Sequence, residues 1–311
     1  MPAVSIVIPV YNGEKTIEAT IASVLAQSFE DFELLIINDG SNDSTLEIVN
    51  SIADARLQVL SYPNVGLAAS RNRGIRAAVG EFISFIDADD LWTPDKLLTQ
   101  VEALRQNPQA ALVYSWTDCV NDRGRVERRG SYITAEGNVY AQLLLGNFLD
   151  SGSNALVRRE VFETTGGFDE SLKAAEDWDM FLRLARSCEF VCVSKVQVLY
   201  RLSNQSMSAN LDRQEQESLK VLQRAYAACP NLSVSVRHQS LGSFYRYLSF
   251  KALEGTPDRK NGFAALRYLG RSVRHHPSQI RPVRLFLSQL AQARHAILRR
   301  QHYQPDSNIS G

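Results

Sequence analysis

The chain has 311 residues, 34 Lys+Arg against 34 Asp+Glu, 44% hydrophobic residues and four cysteines. That apolar content is enough for a substantial core and excludes wholesale disorder, and the length suits one large domain with an appendage or two domains. No apolar stretch approaches the roughly 20 residues that span a bilayer, no basic secretory leader is expected, and the spacing of Cys119, Cys188, Cys192 and Cys229 points to free thiols in a reducing compartment rather than to a metal site or disulfide framework.

The zero net charge hides a division. Residues 1–210 carry 18 basic and 28 acidic side chains, and residues 211–311 carry 16 and 6. Two modules with different surfaces are expected, 1–210 and 211–311.

In chain order, Val4 to Val10 reads as a buried strand, broken by Pro9 and the Asn12-Gly13 turn. Ile17, Ile21, Val24 and Leu25 share one face of a helix. Phe32 to Ile37 is a second strand, ending in Asn38-Asp39-Gly40-Ser41-Asn42-Asp43. Ser44 and Glu47 have the spacing of a capping box for a helix through Ile52. Leu57 to Leu60 is a third strand, followed by a loop from Asn64 to Arg71 and a helix ending near Gly80. The fourth strand starts at Phe82 and runs into Asp87-Ala88-Asp89-Asp90.

Three carboxylates within four residues at the end of a buried strand repel one another unless something positive sits there. Oxygen ligands of this kind suit a hard divalent cation such as Mg²⁺ or Mn²⁺ holding a phosphate, and a solvated acidic turn is the alternative. Strands alternating with helices imply a mostly parallel, doubly wound sheet, whose ligands bind outside the carboxyl ends of the strands. Tyr11-Asn12-Gly13-Glu14, Asn38-Asp39-Gly40-Ser41 and Asp87-Ala88-Asp89-Asp90 all fall at such ends and are expected to be neighbours.

Farther on, Thr93-Pro94 reads as the start of a helix through Arg105, and Ala111 to Ser115 as a strand. Residues 121–140 read as a polar hairpin or loop on the acceptor side. Glu176-Asp177-Trp178-Asp179 opens a helix, where the acids also favour the helix dipole. Phe190 to Leu199 is the last strand, followed by Tyr200-Arg201 and a polar loop, Ser203 to Ser208. Only helices follow. Phe263, Leu266, Leu269 and Val273 could line one helical face, and Val283, Phe286, Leu287, Leu290 and Ile297 another. Ten Lys+Arg and no acid lie between Arg259 and Arg300.

Six motifs in order resemble family 2 glycosyltransferases over residues 3–208. They are Pro9-Val10-Tyr11-Asn12-Gly13-Glu14, Asn38 to Asp43, Gly66-Leu67 with Ser70-Arg71-Asn72-Arg73-Gly74, Asp87 to Asp90, Gly166-Gly167-Phe168-Asp169-Glu170 and Glu176-Asp177-Trp178. The resemblance implies the GT-A fold, an inverting mechanism, a nucleotide-diphosphate sugar donor (a UDP-sugar expected) and a glycan or lipid-linked acceptor in cell-surface polysaccharide or glycolipid synthesis. It places Tyr11, the backbone at Pro9 and Val10, Glu14 and Asp39 on the donor. A turn aromatic and an Asx-type residue capping the next helix are the other readings of Tyr11 and Asp39. Where the family often has two acids, this chain has Asn38-Asp39, which leaves base preference open.

By the same resemblance Arg71 meets the diphosphate or orients the strand-four acids; a surface arginine like Arg73 and Arg76 is its alternative. Asp87 and Ala88 line the donor site, Asp87 touches the ribose and helps set the metal, and Asp89 is the direct ligand of Mn²⁺ or Mg²⁺, with Asp90 structural. Asp177 is the expected general base, with Glu176 as its substitute and helix capping as the alternative. Some relatives carry a metal-binding histidine near residue 201. This chain has Tyr200-Arg201-Leu202-Ser203, so either Arg201 meets the diphosphate or the loop takes no part.

The basic stretch 259–300 is expected either to dock on an anionic cytoplasmic membrane surface, making the protein cytoplasmic and peripheral on the inner face, or to pack as a helical bundle. It lacks the aromatic interleaving of nucleic-acid binders, so no nucleic acid is expected. No Gly-x-Gly-x-x-Gly opens the first helix, which argues against a dehydrogenase. A non-catalytic sugar-binding protein of the same fold and, with less support, a sugar-phosphate nucleotidyltransferase remain as alternatives.

Overall fold

The structure is a computed structural model that describes residues 1–202, 210–254, 259–280, 288 and 290–295. It divides into two compact units, Met1–Pro230 and the part from Asn231 onward.

The first unit begins with β1 (Val4–Val10), α1 (Ile17–Leu25), β2 (Phe32–Asn38), α2 (Thr45–Ser51), β3 (Leu57–Ser61), α3 (Leu67–Ala77) and β4 (Phe82–Phe85). It continues with β5 (Leu91–Trp92), α4 (Lys96–Gln106), β6 (Ala110–Val120), β7 (Val126–Arg129), α5 (Tyr140–Leu145), β8 (Leu156–Arg158), α6 (Val161–Thr165), α7 (Glu176–Ala185), β9 (Glu189–Arg201) and α8 (Leu211–Ala228). One nine-stranded sheet runs β3-β2-β1-β4-β8-β6-β9-β5, with β7 on β6.

The stretch β3-β2-β1-β4 is parallel, as the strand-helix alternation requires. Its middle strands are mostly apolar because both faces are covered, and the polar Ser5 and Glu33 are hydrogen-bonded to each other. Ile6, Ile8 and Val10 pack with Ile17, Ile21 and Val24 of α1 and with Leu97 and Val101 of α4. The opposite face receives α3, so closely that a Cβ on Gly74 would lie 2.2 Å from Val7 Cγ1. Pro9 is tolerated in a central strand for a local reason. Ile86 N donates to the Val7 carbonyl, so the β4 side is faced by Val7 and, two residues on, by Pro9. The paired residues of β4 stop opposite Val7, and Pro9 has no ladder bond to lose there.

Beyond β4 the sheet changes direction. β8 lies antiparallel between β4 and β6, and β6 and β9 are parallel to each other. The mostly parallel sheet expected from the sequence is thus found: β3, β2, β1, β4, β6 and β9 run one way, and β8, β5 and β7 run against their neighbours.

Several local expectations are corrected. Ser44 makes no side-chain cap. Asp43 Oδ1 instead accepts from Thr45 N at 3.0 Å, and Glu14 Oε2 accepts from Ser44 N at 3.1 Å. The helix after Thr93-Pro94 starts only at Lys96, because Thr93 N and the Pro94 carbonyl are tied to Gln197 and Ser28. Arg71 lies inside α3 rather than in the preceding loop.

Helix α8 belongs to the first unit: Arg224 pairs with Asp169, and Tyr140 Oη donates to the Ala225 carbonyl at 2.9 Å. The division thus falls one helix later than the change in composition at 210.

The second unit contains α9 (Val234–Lys251) and α10 (Arg259–His275), joined by Ser249 Oγ on the Ala265 carbonyl and Ser272 Oγ on the Gly242 carbonyl. The buried side of α10 is Gly262, Ala265, Tyr268, Leu269 and Ser272, so Phe263, expected on that face, is 53% exposed. Among the described residues no helix is long and apolar enough to cross a membrane. The expected loop Ser203 to Ser208 and the positions Val283, Phe286, Leu287 and Ile297 lie outside the described residues.

Candidate active site

The three polar strand ends meet, as their positions require. The turn after β1 and the turn after β2 are laced by Asn12 N on Ser41 Oγ, Gly13 N on Thr45 Oγ1, Glu14 N on Asp43 Oδ2, Asn42 N on Asn12 Oδ1 and Ser44 N on Glu14 Oε2. Glu14 thereby clasps the two turns together. Tyr11 stands at the end of β1, 52% exposed. Pro9 and Val10 are buried, and the Val10 carbonyl accepts from Asp39 N at 2.8 Å.

Asp39 is buried and does not cap α2. Its carboxylate accepts from Val65 N, from Gly66 N at 2.8 Å and from Arg73 Nη1 at 3.0 Å, fixing the loop that leads into α3. Gly66 has φ +103°, a conformation that side-chain-bearing residues rarely adopt. Arg73 also lies over the Tyr62 ring, so it is more than a surface arginine.

Arg71 is the centre of the site. It is 1% exposed and reaches Asp87 Oδ1 and Glu176 Oε1, both at 2.6 Å. Burial alone lowers an arginine pKa, but Asp87 and Glu176 outweigh it and hold Arg71 up. Two flanking features shape its cradle. Phe168 lies under the guanidinium at 5.2 Å, and a Cβ at Gly152 would stand 2.6 Å from Nη2. The neighbouring Asn72 fixes the Gly167–Glu170 turn by accepting from Phe168 N and donating to the Phe168 carbonyl and to Glu170.

The remaining acids differ in environment. Asp90 is fully buried, with Oδ2 on Ser153 Oγ at 2.5 Å and Oδ1 on Arg201 N at 3.1 Å. Burial and the charges of Asp89 and Asp87 push it well above the usual carboxylate range. Asp89 is half-buried beside Ala88, and burial followed by the Asp87 charge pushes it up to about 6. Arg201 Nε donates to the Asp89 carbonyl at 2.9 Å. Arg71 pairs with Asp87, whereas on Asp89 the Arg201 charge only partly offsets the upward push. The oxygen donors Asp87 and Asp89 are of the type a hard divalent cation takes, and among the described residues no group of three or more His, Cys, Asp or Glu side chains is placed to hold a metal ion.

Asp177 stands at the start of α7, next to Glu176. Its Oδ2 accepts from Asn147 Nδ2 at 3.0 Å and its Oδ1 from Trp178 N at 2.7 Å. Burial first, then the Glu176 carboxylate, push it up to about 7, against the pull of Arg71. The preceding residue, Ala175, has φ +58°, a strained conformation for alanine.

The segment 151–154 is a part of the site that sequence reasoning missed. Ser153 Oγ accepts from Asp87 N at 3.0 Å as well as holding Asp90, and its carbonyl accepts from Trp92 Nε1. Asn154 ties Ser115, Thr117 and Leu149 together. The available signal was a run of small polar residues, Ser151-Gly152-Ser153-Asn154, leading into an apolar strand. Behind it lies Lys96, fully buried, with Nζ on Gln100 Oε1 at 2.9 Å and over the Trp92 ring at 4.0 Å; burial alone drives its pKa well below the lysine range.

Comparison with known proteins places this geometry. A family model described as "Glycosyltransferase like family 2" matches residues 5–252. The chain is 32% identical over 215 residues to the Escherichia coli UDP-Glc:alpha-D-GlcNAc-diphosphoundecaprenol beta-1,3-glucosyltransferase WfgD, covering 67% of this chain and 80% of that protein. It is 30% identical over 228 residues to the chondroitin synthase of Pasteurella multocida, covering 72% of this chain and 23% of the synthase, and so spans less than a quarter of that relative's length. Among solved structures, Staphylococcus aureus TarS is 22% identical with a TM-score of 0.59 over 94% of this chain and 54% of that one. The Pyrobaculum calidifontis mannosyltransferase PcManGT, solved with GDP-Man and Mn²⁺, is 20% identical with a TM-score of 0.56 over 95% of this chain and 86% of its own. At these identities the structural likeness shows the fold alone.

Proposed function

The chain belongs to the family 2 glycosyltransferases, and from that premise we propose that it moves a sugar, with inversion, from a nucleotide-diphosphate sugar to an acceptor hydroxyl in polysaccharide or glycolipid synthesis. The observation that carries this reading is the Asp87–Arg71–Glu176 bridge, which joins the acids after β4 to the helix bearing Asp177. Inversion requires the acceptor to attack opposite the leaving nucleotide, so a base must stand across the site from the diphosphate.

Asp177 is that base. Its pKa near 7 suits taking a proton from a hydroxyl, and its partners Asn147 and Trp178 hold it in place. Glu176 is committed to Arg71 and acts by positioning, which makes it the poorer candidate. On the donor side, Tyr11 offers an exposed ring to the base beside the backbone of Pro9 and Val10. Asp39, Arg73 and Glu14 hold the turns that border it. Asp87 and Ala88 line the ribose and diphosphate, Arg201 adds positive charge next to Asp89, and Asp90 braces the turn from within. Asp89, with Asp87 beside it, would hold Mn²⁺ or Mg²⁺, which when bound offsets the charge developing on the departing nucleotide.

A UDP-sugar is the proposed donor and a glycan or lipid-linked sugar the acceptor. The exposed Arg259, Lys260, Phe263, Arg267, Arg271 and Arg274 of α10 support docking of the region 259–300 on an anionic cytoplasmic membrane surface.

The test is a panel of UDP-, GDP- and dTDP-sugars, followed for binding and slow hydrolysis with and without Mn²⁺. At least one is expected to bind and turn over in a metal-dependent way. Equal binding in EDTA and by Asp89→Ala would sink the metal assignment. No nucleotide release across the panel, acceptors included, would favour a non-catalytic sugar-binding protein.

A further inference from the structure

We infer that Trp116, Asp118 and Tyr132 form a subsite for the pyranose ring of the acceptor. The subsite rests on the glycosyltransferase reading only for the identity of its occupant as acceptor; the binding of a pyranoside there stands by itself.

Trp116 and Asp118 are alternate residues of β6 and therefore project from the same face. Tyr132, just after β7, lays its ring on Trp116 with centroids 4.8 Å apart and planes 9° from parallel, and its hydroxyl donates to Asp118 Oδ1 at 2.6 Å. Both rings are half-buried, so the pair keeps a solvent-facing edge. Such a stack under a hairpin is ordinarily packing alone, but three further observations separate this one from ordinary packing.

The first is an orphan donor: Trp116 Nε1 is buried and has no hydrogen-bond partner among the described residues. Leaving a buried donor unmet is costly, and a sugar hydroxyl would relieve that cost.

The second is backbone strain. Tyr132 has φ +47°, an outlier for a bulky aromatic, and strain of this kind persists only where the surroundings hold it. Among the described residues the other non-glycine residues with positive φ are Asn12, Asp150 and Ala175. Asn12 is in the turn after β1. Asp150 and Ala175 lie with Tyr132 on the side of the base.

The third is connection to the chemistry. Asp150 accepts from Ser131 N at 2.9 Å and Ser131 Oγ at 2.5 Å, its own N–H donates to the Asn147 carbonyl, and Asn147 Nδ2 holds Asp177. Backbone and hydrogen bonds thus run unbroken from Tyr132 to the base.

The chemistry of the group selects a sugar. A pyranose presents a face of C–H bonds, which packs on an aromatic surface, and a rim of hydroxyls, which both donate and accept. The solvent-facing edge of the ring pair supplies the apolar contact, and the Asp118 carboxylate with Trp116 Nε1 supplies an acceptor and a donor for the hydroxyls.

Intrinsic fluorescence tests this directly. Of the three tryptophans, Trp92 and Trp178 are only 4% and 5% exposed, so a ligand-induced change reports chiefly on Trp116. The full chain is titrated with methyl α- and β-pyranosides of glucose, galactose, N-acetylglucosamine, N-acetylgalactosamine and glucuronic acid. At least one is expected to give a saturable change that disappears in Trp116→Phe. Calorimetry with that sugar is expected to weaken about fivefold or more in Tyr132→Phe and Asp118→Asn, each of which removes a hydrogen-bonding group with little change of shape. UDP-sugar affinity should be unchanged in all three variants. No saturable change with any pyranoside, or the same affinity in both polar variants, overturns the subsite. Failure of the donor panel to turn over would instead overturn the glycosyltransferase reading and leave the binding result intact.

Discussion

Arg71 and Glu176 meet at 2.6 Å across 105 residues of chain, and the same guanidinium reaches Asp87 at 2.6 Å. One buried cation thereby sets the distance between the acids after β4 and the helix that carries Asp177, the proposed base. Arg71→Met leaves Glu176 buried without its partner, and removing one member of such a group costs about 3–5 kcal/mol. Urea unfolding is expected to show a correspondingly lower midpoint. Arg71→Lys keeps the charge but loses the fork that spans both carboxylates, and should fall between the two. A midpoint unchanged in Arg71→Met would remove the bridge from the account of stability.

Asp177 sets the pH dependence of transfer. Its active form is the carboxylate, and its pKa is pushed up to about 7, so the rate should rise with pH through about 7 and level off above. Asp177→Asn should bind donor normally and lose about 100-fold or more of transfer. In Glu176→Gln one of the charges that raises Asp177 is gone, so the rising limb should move to lower pH. A limb that stays in place in Glu176→Gln would assign the titration to another group.

Lys96 gives a stability signature of its own. Burial holds the folded amine well below its ordinary value of 10.5, while the unfolded chain titrates near that value. Between the two values the unfolded state binds one more proton, so stability rises with pH across that window. The Lys96 contribution to the slope is about 1.4 kcal/mol per pH unit wherever the folded amine is neutral. Denaturation of Lys96→Met, followed as the pH rises toward 10, should lack this slope. Equal slopes in the two proteins would mean that Lys96 stays charged in the fold.

The second unit makes a separate prediction. Reversing the exposed Arg259, Lys260 and Arg274 to Glu should abolish sedimentation with vesicles containing phosphatidylglycerol, since each basic residue near such a surface contributes about 1 kcal/mol. Donor hydrolysis should be unaffected. Vesicle binding that survives the reversal would reject α10 as the docking element.

The legible parts of the sequence were those where local chemistry and tertiary demand agree. β1, β2 and β4 are mostly apolar because both faces are covered, and each is followed by polar residues that come together at the proposed donor site. The acids at 87–90 and 176–177 were visible for the same reason. Other features depend on partners that composition does not reveal. β8 is three residues long, and nothing in Leu156–Arg158 announces that it runs antiparallel between β4 and β6. Ser44 has the spacing of a cap, but Asp43 is the better acceptor and takes the role. Ala175 carries no hint of positive φ, since alanine has neither the freedom of glycine nor the polar side chain of asparagine. Tyr132 and Trp116 lie 16 positions apart, and only the β6–β7 hairpin brings them face to face.

The reversal of direction at β8 has a consequence for how such a protein can diversify. Because β8 runs against β4, the segment entering it, 151–154, arrives at the same edge of the sheet as Asp87 and braces it. Everything between Val120 and Ser151 is then an excursion that leaves this edge and returns to it. An insertion or exchange within that excursion leaves β1, β2, β4 and α7, which carry the residues proposed for the donor and the base, in place. On the proposed reading the fold separates what is given from what receives it, so that the receiving side could be rewritten while the transfer machinery stays intact.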